Sequence, residues 1–205
     1  MKVLDTKGIL LALFFGFILF VFGGFSYLVL MLVFFFLAIL VTRYDYELKR
    51  DLGLYEHERG WENVLSNGSL PALLALLSPI TGPIPFIASI AAVTADKFGS
   101  EVGVLDRNDP VSVLNFKHVK PGTSGAMSIL GTIGSFAGSG SIGFAAMFIF
   151  NLDPTQAFLI SIAGLVGAIF DTLFGVLEER GIGTKGTTNL ICSLAGALIG
   201  YYFIK

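Results

Sequence analysis

Gly8–Thr42 reads GILLALFFGFILFVFGGFSYLVLMLVFFFLAILVT, thirty-five residues without an Asp, Glu, Lys or Arg. A membrane-spanning helix needs about 20 apolar residues, with roughly 17 as the lower limit. One unbroken helix over this stretch would be about 52 Å long at ~1.5 Å per residue, too long for one crossing. Gly23-Gly24 offers a break. The stretch is therefore read as two short spans, Gly8–Phe22 and Phe25–Thr42. Further long apolar runs follow, so the bilayer is the solvent.

Composition agrees. Hydrophobic residues make up 54% of the chain and charged residues 14%, against about 25% charged in soluble domains. Mean hydropathy is +0.80. An ionised side chain at mid-membrane costs on the order of several kcal/mol, which explains the shortfall. The 25 glycines suit helices that approach closely in lipid. The net charge of −2 and the lack of a basic cluster give no reason to expect nucleic acid. Cys192, the single cysteine, lies in an apolar run and reads as an inert small residue. His57 and His118 lack ligand-type spacing and read as surface or interfacial. Met1–Phe22 resembles a secretory signal, but Phe22-Gly23-Gly24 lacks a small-x-small cleavage pattern, so it reads as an uncleaved anchor.

The expected fold is all-α: one integral-membrane domain, 1–205, of about seven transmembrane helices with a cytoplasmic N-terminus. After the two spans in 8–42 comes a charged interfacial segment, 43–60, in which Tyr44, Leu48, Leu52 and Tyr55 recur at helical spacing. The main bundle, 61–205, follows. Its spans are Glu62–Leu77, a fourth opening near Pro85 and ending at Ala95, Thr123–Phe150, Thr155–Leu177 and Thr187–Ile204. Polar loops cover Asp96–Gly122 and Glu178–Gly186. With seven spans, all but Lys205 of the 13 Lys and Arg fall on one side. The positive-inside rule makes that side cytoplasmic. Among the acidic residues only Asp153 falls outside.

Four polar constellations lie at the cytoplasmic ends of spans. They are Trp61–Gly68, containing Asn63, Ser66 and Asn67; Thr94–Glu101, containing Asp96, Lys97 and Ser100; Lys120–Ser128, containing Gly122, Thr123, Ser124 and Gly125; and Asp171 with Lys185–Asn189, containing Thr188. Asp96 continues the small-residue stripe Ala88, Ala92, Asp96, Ser100. Asp171 belongs to Ala163, Gly167, Asp171, Gly175. Gly131, Ser135, Ser139 and Gly143 make a third stripe. Small faces meet other helices, so both aspartates should point into the bundle. Asp171 should lie about 10 Å below the cytoplasmic end, and a carboxylate at that depth needs a cation, a metal or a proton. Glu101 is about 140° round the helix from Asp96 and joins it only if the helix breaks near Gly99.

Spans four and six share Ser-Ile-Ala and then an Asp/Gly/Glu series. Spans five and seven both follow a Lys-(Pro)-Gly-Thr sequence. This suggests a degenerate parallel repeat of helix pairs. Helix starts expose unpaired N–H groups and a positive dipole end, so two Gly/Thr/Ser-rich starts, each preceded by a lysine, would make a polyphosphate cradle. Carboxylates opposite would hold Mg²⁺. Read instead as structure, Gly/Ser/Thr at a helix start is a cap with tight packing.

At these motifs the chain resembles the integral-membrane phytyl-phosphate kinase family of the vitamin E pathway, which has archaeal and bacterial members. The carrying pieces are Trp61–Gly68, Thr94–Gly103, Pro121–Ser128 and Asp171 with Thr188-Asn189, so the resemblance covers most of the chain after about Arg59. It implies transfer of a phosphoryl group from a nucleotide, CTP being favoured, to a prenyl monophosphate such as phytyl or geranylgeranyl phosphate. Departures near Lys97 and before Asn189 leave nucleotide preference and acceptor size open. Asp96, Asp171 and Glu101 are the expected catalytic and Mg²⁺-binding residues. Lys97, Lys120 and Lys185 would neutralise phosphates. Ser100, Gly122, Thr123, Ser124, Gly125, Ser128, Thr188 and Asn189 would bind them, with Asn63, Ser66 and Asn67 completing the cup. Expected partners are the prenyl-phosphate lipid, a nucleoside triphosphate and membrane lipids; oligomeric state stays open. The expected location is the cell membrane, with the site facing the cytoplasm. A transporter and a lipid cytidylyltransferase are the rival readings.

Overall fold

The computed structural model describes residues 4–51, 53, 60–106, 108 and 110–204. Its helices are α1 (Thr6–Ile18, continued by a π turn Leu19–Gly23), α2 (Phe25–Arg43), α3 (Tyr46–Asp51), α4 (Trp61–Leu76), α5 (Ser78–Thr81), α6 (Ile84–Gly103), α7 (Ile129–Phe150), α8 (Pro154–Glu179) and α9 (Lys185–Phe203). Two short strands, β1 (Val111–Ser112) and β2 (Ala126–Met127), pair antiparallel. The protein is an all-α polytopic membrane bundle. Thr6–Gly23, Phe25–Arg43, α7 and α8 are long and apolar enough to cross a bilayer by length and composition alone.

The N-terminal run divides at Gly23-Gly24. The backbone there turns at Gly24 with φ +87°, a left-handed value that favours glycine. A second break falls after α7. Asn151 is left-handed, and Asp153 caps α8 by accepting the N–H groups of Thr155 and Gln156 while Gln156 returns a side-chain bond, with Pro154 opening the helix.

The seven long helices alternate in direction, so chain ends and loops sort to two sides. Thr42 at the end of α2 touches Glu101 late in α6. At the opposite end, the Tyr27 ring lies tilted against Phe86 and edge-on to Phe150, with ring centroids 4.4 and 5.3 Å apart. Among the described residues, every charged side chain except Asp153 lies toward the end carrying Thr42 and Glu101.

The core is built on small residues. A Cβ at Gly196 would lie 2.7 Å from the Ala88 carbonyl oxygen and 2.7 Å from the Ala92 Cβ, and one at Gly167 would lie 2.6 Å from the Ala92 Cβ. One at Gly164 would meet Ala91 and Ser139 at 2.8 Å, and one at Gly138 would meet the Thr94 carbonyl oxygen at 2.8 Å. The three stripes are thus the faces on which α6, α7, α8 and α9 interlock, with α6 central and buried on nearly every residue from Pro85 to Ala95. The α1–α2 pair and α4 pack on the outside of these four helices, with Leu30, Ala38 and Ala75 buried against them, while α1 and α2 also expose large apolar side chains such as Phe14, Phe17 and Phe36.

Two boundaries differ from expectation. α6 does not stop at Ala95 but runs unbroken to Gly103, carrying Asp96, Lys97 and Glu101 on its last turns. Span five starts at Ile129 rather than Thr123. Gly122 and Gly125 take left-handed φ values of +85° and +75°, which a helix cannot absorb, and Ser128 provides the real cap by accepting the Gly131 N–H at 3.0 Å. Asp106 accepts the Leu130 N–H at the same helix end, and the N–H groups of Asn108 and Leu130 hold its carboxyl below the usual range. The proposed repeat fails at this point, because Lys185-Gly186-Thr187 opens a helix and Lys120–Thr123 does not. Of the interfacial segment, α3 is described; Leu52, Tyr55 and His57 lie outside the described residues.

Candidate active site

Asp96 comes from α6, Asp171 from α8 and Lys185 from the first residue of α9. The small-residue contacts of α6 with α8 and α9 draw all three together. Lys185 Nζ donates to Asp171 Oδ2 at 2.7 Å and to Asp96 Oδ1 at 3.3 Å. Asp171 is 6% exposed, and its second oxygen, Oδ1, is buried without a hydrogen-bond partner. Such an orphaned oxygen is costly in a low-dielectric site.

The three side chains open into a cavity of about 330 Å³. One wall is the loop Gly122–Ser128, whose every residue lines it, together with Ser100 from α6. The loop is fastened to α8 by a close glycine contact. A Cβ at Gly175 would lie 2.7 Å from the Gly125 N, and one at Gly125 would lie 2.8 Å from the Val176 N. Glu179 accepts the Ser124 N–H at 2.8 Å. The β1–β2 pairing and the Gly125 carbonyl, which accepts the Val113 N–H, hold the loop's far side. Away from this polar wall the cavity is lined by Leu165, Ala168 and Ile169 of α8, so it has a polar end and an apolar one.

Several expected residues lie elsewhere. Glu101 does not join Asp96, because α6 stays helical through Gly99 and turns Glu101 to another face. There it binds Lys49 at 2.9 Å, Lys97 at 2.7 Å and the Thr42 hydroxyl at 2.8 Å. The expected carboxylate trio is therefore a pair. Among the described residues no group of three His, Cys, Asp or Glu side chains gathers as a metal cage. Lys97 is engaged with Glu101 and is not a cavity residue. Lys120 is exposed and does not line the cavity; its carbonyl accepts the N–H and hydroxyl of Thr123 and shapes the turn. Asn63, Ser66 and Asn67 lie on α4, where Ser66 and Asn67 bond back to Asn63 and Ser66 sits beside Gly186. They do not line the cavity. Thr188 and Asn189 are buried one turn below Lys185, also outside the lining.

The cavity also has residues that were not expected. Glu178, seven residues on from Asp171 and so on the same face of α8, lines the cavity with Oε2 buried and unpartnered. That spacing could have located it. Thr132, Ser135 and Thr172 line it too, and nothing in their local sequence distinguishes them from packing residues.

The model of the family described as "Integral membrane protein DUF92" matches residues 1–197. The chain belongs to this family. It is 39% identical to an uncharacterized membrane protein of Methanocaldococcus jannaschii, over 97% of this chain and 85% of that protein. It is 26% identical to protein PGR of Arabidopsis thaliana, over 75% of this chain and 64% of the relative. It is 24% identical to the chloroplastic protein VTE6 of Arabidopsis thaliana, over 56% of this chain and 34% of that one. No solved structure matches the chain.

Two hard-oxygen carboxylates with one orphaned oxygen fit a Mg²⁺ ion, which takes one or two carboxylates together with substrate phosphates. Asp96 and Asp171 would hold it, and the loop and Lys185 would face the phosphates.

Proposed function

We propose that this DUF92 protein is a membrane-bound kinase that transfers a phosphoryl group from a nucleoside triphosphate, CTP favoured, to a prenyl monophosphate. The observation that carries the reading is the convergence of Asp96, Asp171 and Lys185 beneath the Gly122–Ser128 loop, in a cavity with one polar and one apolar end. The resemblance to the phytyl-phosphate kinase family at these same motifs supports it, and the similarity to the chloroplastic VTE6 protein is in keeping with that resemblance.

Phosphoryl transfer asks for positioning and charge neutralisation more than for covalent help. A phosphomonoester has its second pKa near ~6, so the acceptor oxygen is already anionic at neutral pH and needs no general base. That oxygen attacks the terminal phosphorus, the bond to the bridging oxygen breaks, and the nucleoside diphosphate leaves with the electron pair. Bound Mg²⁺ would supply Lewis-acid neutralisation of the transferring group. Lys185 and the loop hydroxyls of Thr123, Ser124 and Ser128 orient the phosphates. Leu165, Ala168 and Ile169 receive the first carbons of the lipid. The site faces the cytoplasm, where nucleotide is available and where the basic residues gather.

The test is incubation of the purified protein with Mg²⁺, each nucleotide and a panel of prenyl phosphates, with products identified by mass. Prenyl diphosphate and a nucleoside diphosphate are expected, and their formation falls steeply with Asp171→Asn. Release of pyrophosphate would make the protein a cytidylyltransferase. Substrate flux across liposomes without nucleotide would make it a transporter.

A further inference from the structure

We infer that Lys185 is an exchangeable counter-ion: without nucleotide its ammonium holds the place between Asp96 and Asp171 that a divalent cation takes on loading, and incoming phosphates draw it away. The inference rests on the reading above for the nature of the incoming anion.

The geometry supplies the starting state, with one ammonium shared by two carboxylates from different helices. It does not use up their binding capacity. Each carboxylate offers about four acceptor positions, and Asp171 Oδ1 remains buried and unpartnered in a side chain more than nine-tenths buried. Two carboxylates with one ammonium also leave a net negative charge, and Glu178 is a third carboxyl lining the same cavity. A divalent cation would neutralise the pair completely and leave the ammonium in excess.

Lys185 is free to go. Its side chain is 47% exposed, whereas that of Asp171 is 8% exposed. It stands at the first position of α9, so a rotation of its four-carbon stem moves the charge without disturbing a helix. The same cavity holds the Gly122–Ser128 loop, where phosphate would lie. Metal and nucleotide should therefore load cooperatively. The cation releases the lysine, and the released lysine completes the phosphate site, while in the empty enzyme the ammonium offsets part of the charge of the carboxylate pair.

Mn²⁺ is the probe, since it accepts the same oxygen donors as Mg²⁺. The full chain in detergent or nanodiscs is labelled with an amine-reactive reagent, and modification is read at individual lysines by mass spectrometry. Millimolar Mn²⁺ alone should raise labelling of Lys185 several-fold while exposed Lys120, outside the cavity, stays constant. Inorganic triphosphate added with Mn²⁺ should protect Lys185 again. Asp171→Asn should raise its labelling without metal, and Lys185→Met should bind Mn²⁺ at least tenfold more tightly than the unmodified protein. Lys185 labelling that ignores Mn²⁺, or a Lys185→Met variant with no gain in affinity, overturns the exchange. Should that variant fail to fold, labelling of the unmodified chain decides alone. Neither measurement contains a lipid acceptor, so absence of phosphoryl transfer strikes the kinase reading and unresponsive labelling strikes the exchange.

Discussion

Lys49 and Glu101, 52 residues apart in sequence, meet at 2.9 Å in a pair closed to solvent on both sides. The Lys49 ammonium also donates to the carbonyl oxygens of Val41 and Thr42 at the end of α2, while Glu101 takes the Thr42 hydroxyl and Lys97. This cluster fastens the N-terminal helix pair to the core. Breaking a buried pair by removing one partner costs about 3–5 kcal/mol. Glu101→Gln strips both lysines of their carboxylate and should fall in that range. Lys49→Met leaves Glu101 paired with Lys97 and should cost less. Unfolding in detergent measures both. If Glu101 is a fastener and not a metal ligand, Mn²⁺ affinity of the folded Glu101→Gln protein stays unchanged.

What was legible in the sequence, and what was not, follows from how each feature is encoded. Gly23-Gly24 and Asn151–Pro154 mark breaks because their chemistry is local. The alternation of apolar and charged segments gives the sorting of charge to one end. Asp96 and Asp171 could be brought together because each extends a stripe of small residues, and stripes report helix contacts. Glu101 stands about 140° round the helix from Asp96 when α6 is unbroken, and its partners Thr42 on α2 and Lys49 on α3 have no periodic link to it in the sequence. Gly-Thr-Ser-Gly suits a cap as well as a loop, so residue types alone place a helix start at Thr123 where the structure has a loop. Only the two left-handed glycines and the Ser128 cap distinguish the two, and backbone angles are not written in residue type.

The closeness of Gly125 and Gly175 makes the loop's position sensitive to a single methyl. In Gly175→Ala the new Cβ would lie 2.7 Å from the Gly125 N, on backbone that cannot swing aside as a side chain can. The loop should lift, raising the KM for nucleotide at least tenfold with little change in thermal stability. Gly140→Ala, where nothing lies within 4 Å, is the matched control and should behave as the unmodified protein. Steady-state kinetics on the two variants separates loop placement from general packing.

Sidedness can be read with single cysteines, because the native Cys192 is fully buried and should stay silent to polar reagents. Asp153→Cys stands in the turn between α7 and α8, and Lys120→Cys stands in the loop at the opposite end. A membrane-impermeant maleimide applied to intact cells should label Asp153→Cys and spare Lys120→Cys until the membrane is opened. The reverse pattern would put the cavity outside and remove its access to nucleotide.

Asp96 and Asp171 share Lys185 unequally, and their Asn variants should differ accordingly. Asp171 makes the shorter contact, is the more buried of the two and keeps a second oxygen aimed at no protein donor. Asparagine preserves its shape but offers one acceptor where the carboxylate offers two oxygens and a charge. A bound metal supplies several kcal/mol of transition-state stabilisation, and about 1.4 kcal/mol is tenfold in rate. Asp171→Asn should therefore lose on the order of a thousandfold in rate at every Mg²⁺ concentration. Asp96, more open and 3.3 Å from Lys185, contributes a weaker hold. Asp96→Asn should raise the Mg²⁺ needed for half-maximal rate and recover a large part of its activity when Mg²⁺ is abundant. Rate measured against Mg²⁺ concentration distinguishes the two patterns. Identical curves for both variants would mean that the carboxylates do not divide the cation between a buried anchor and an exposed partner.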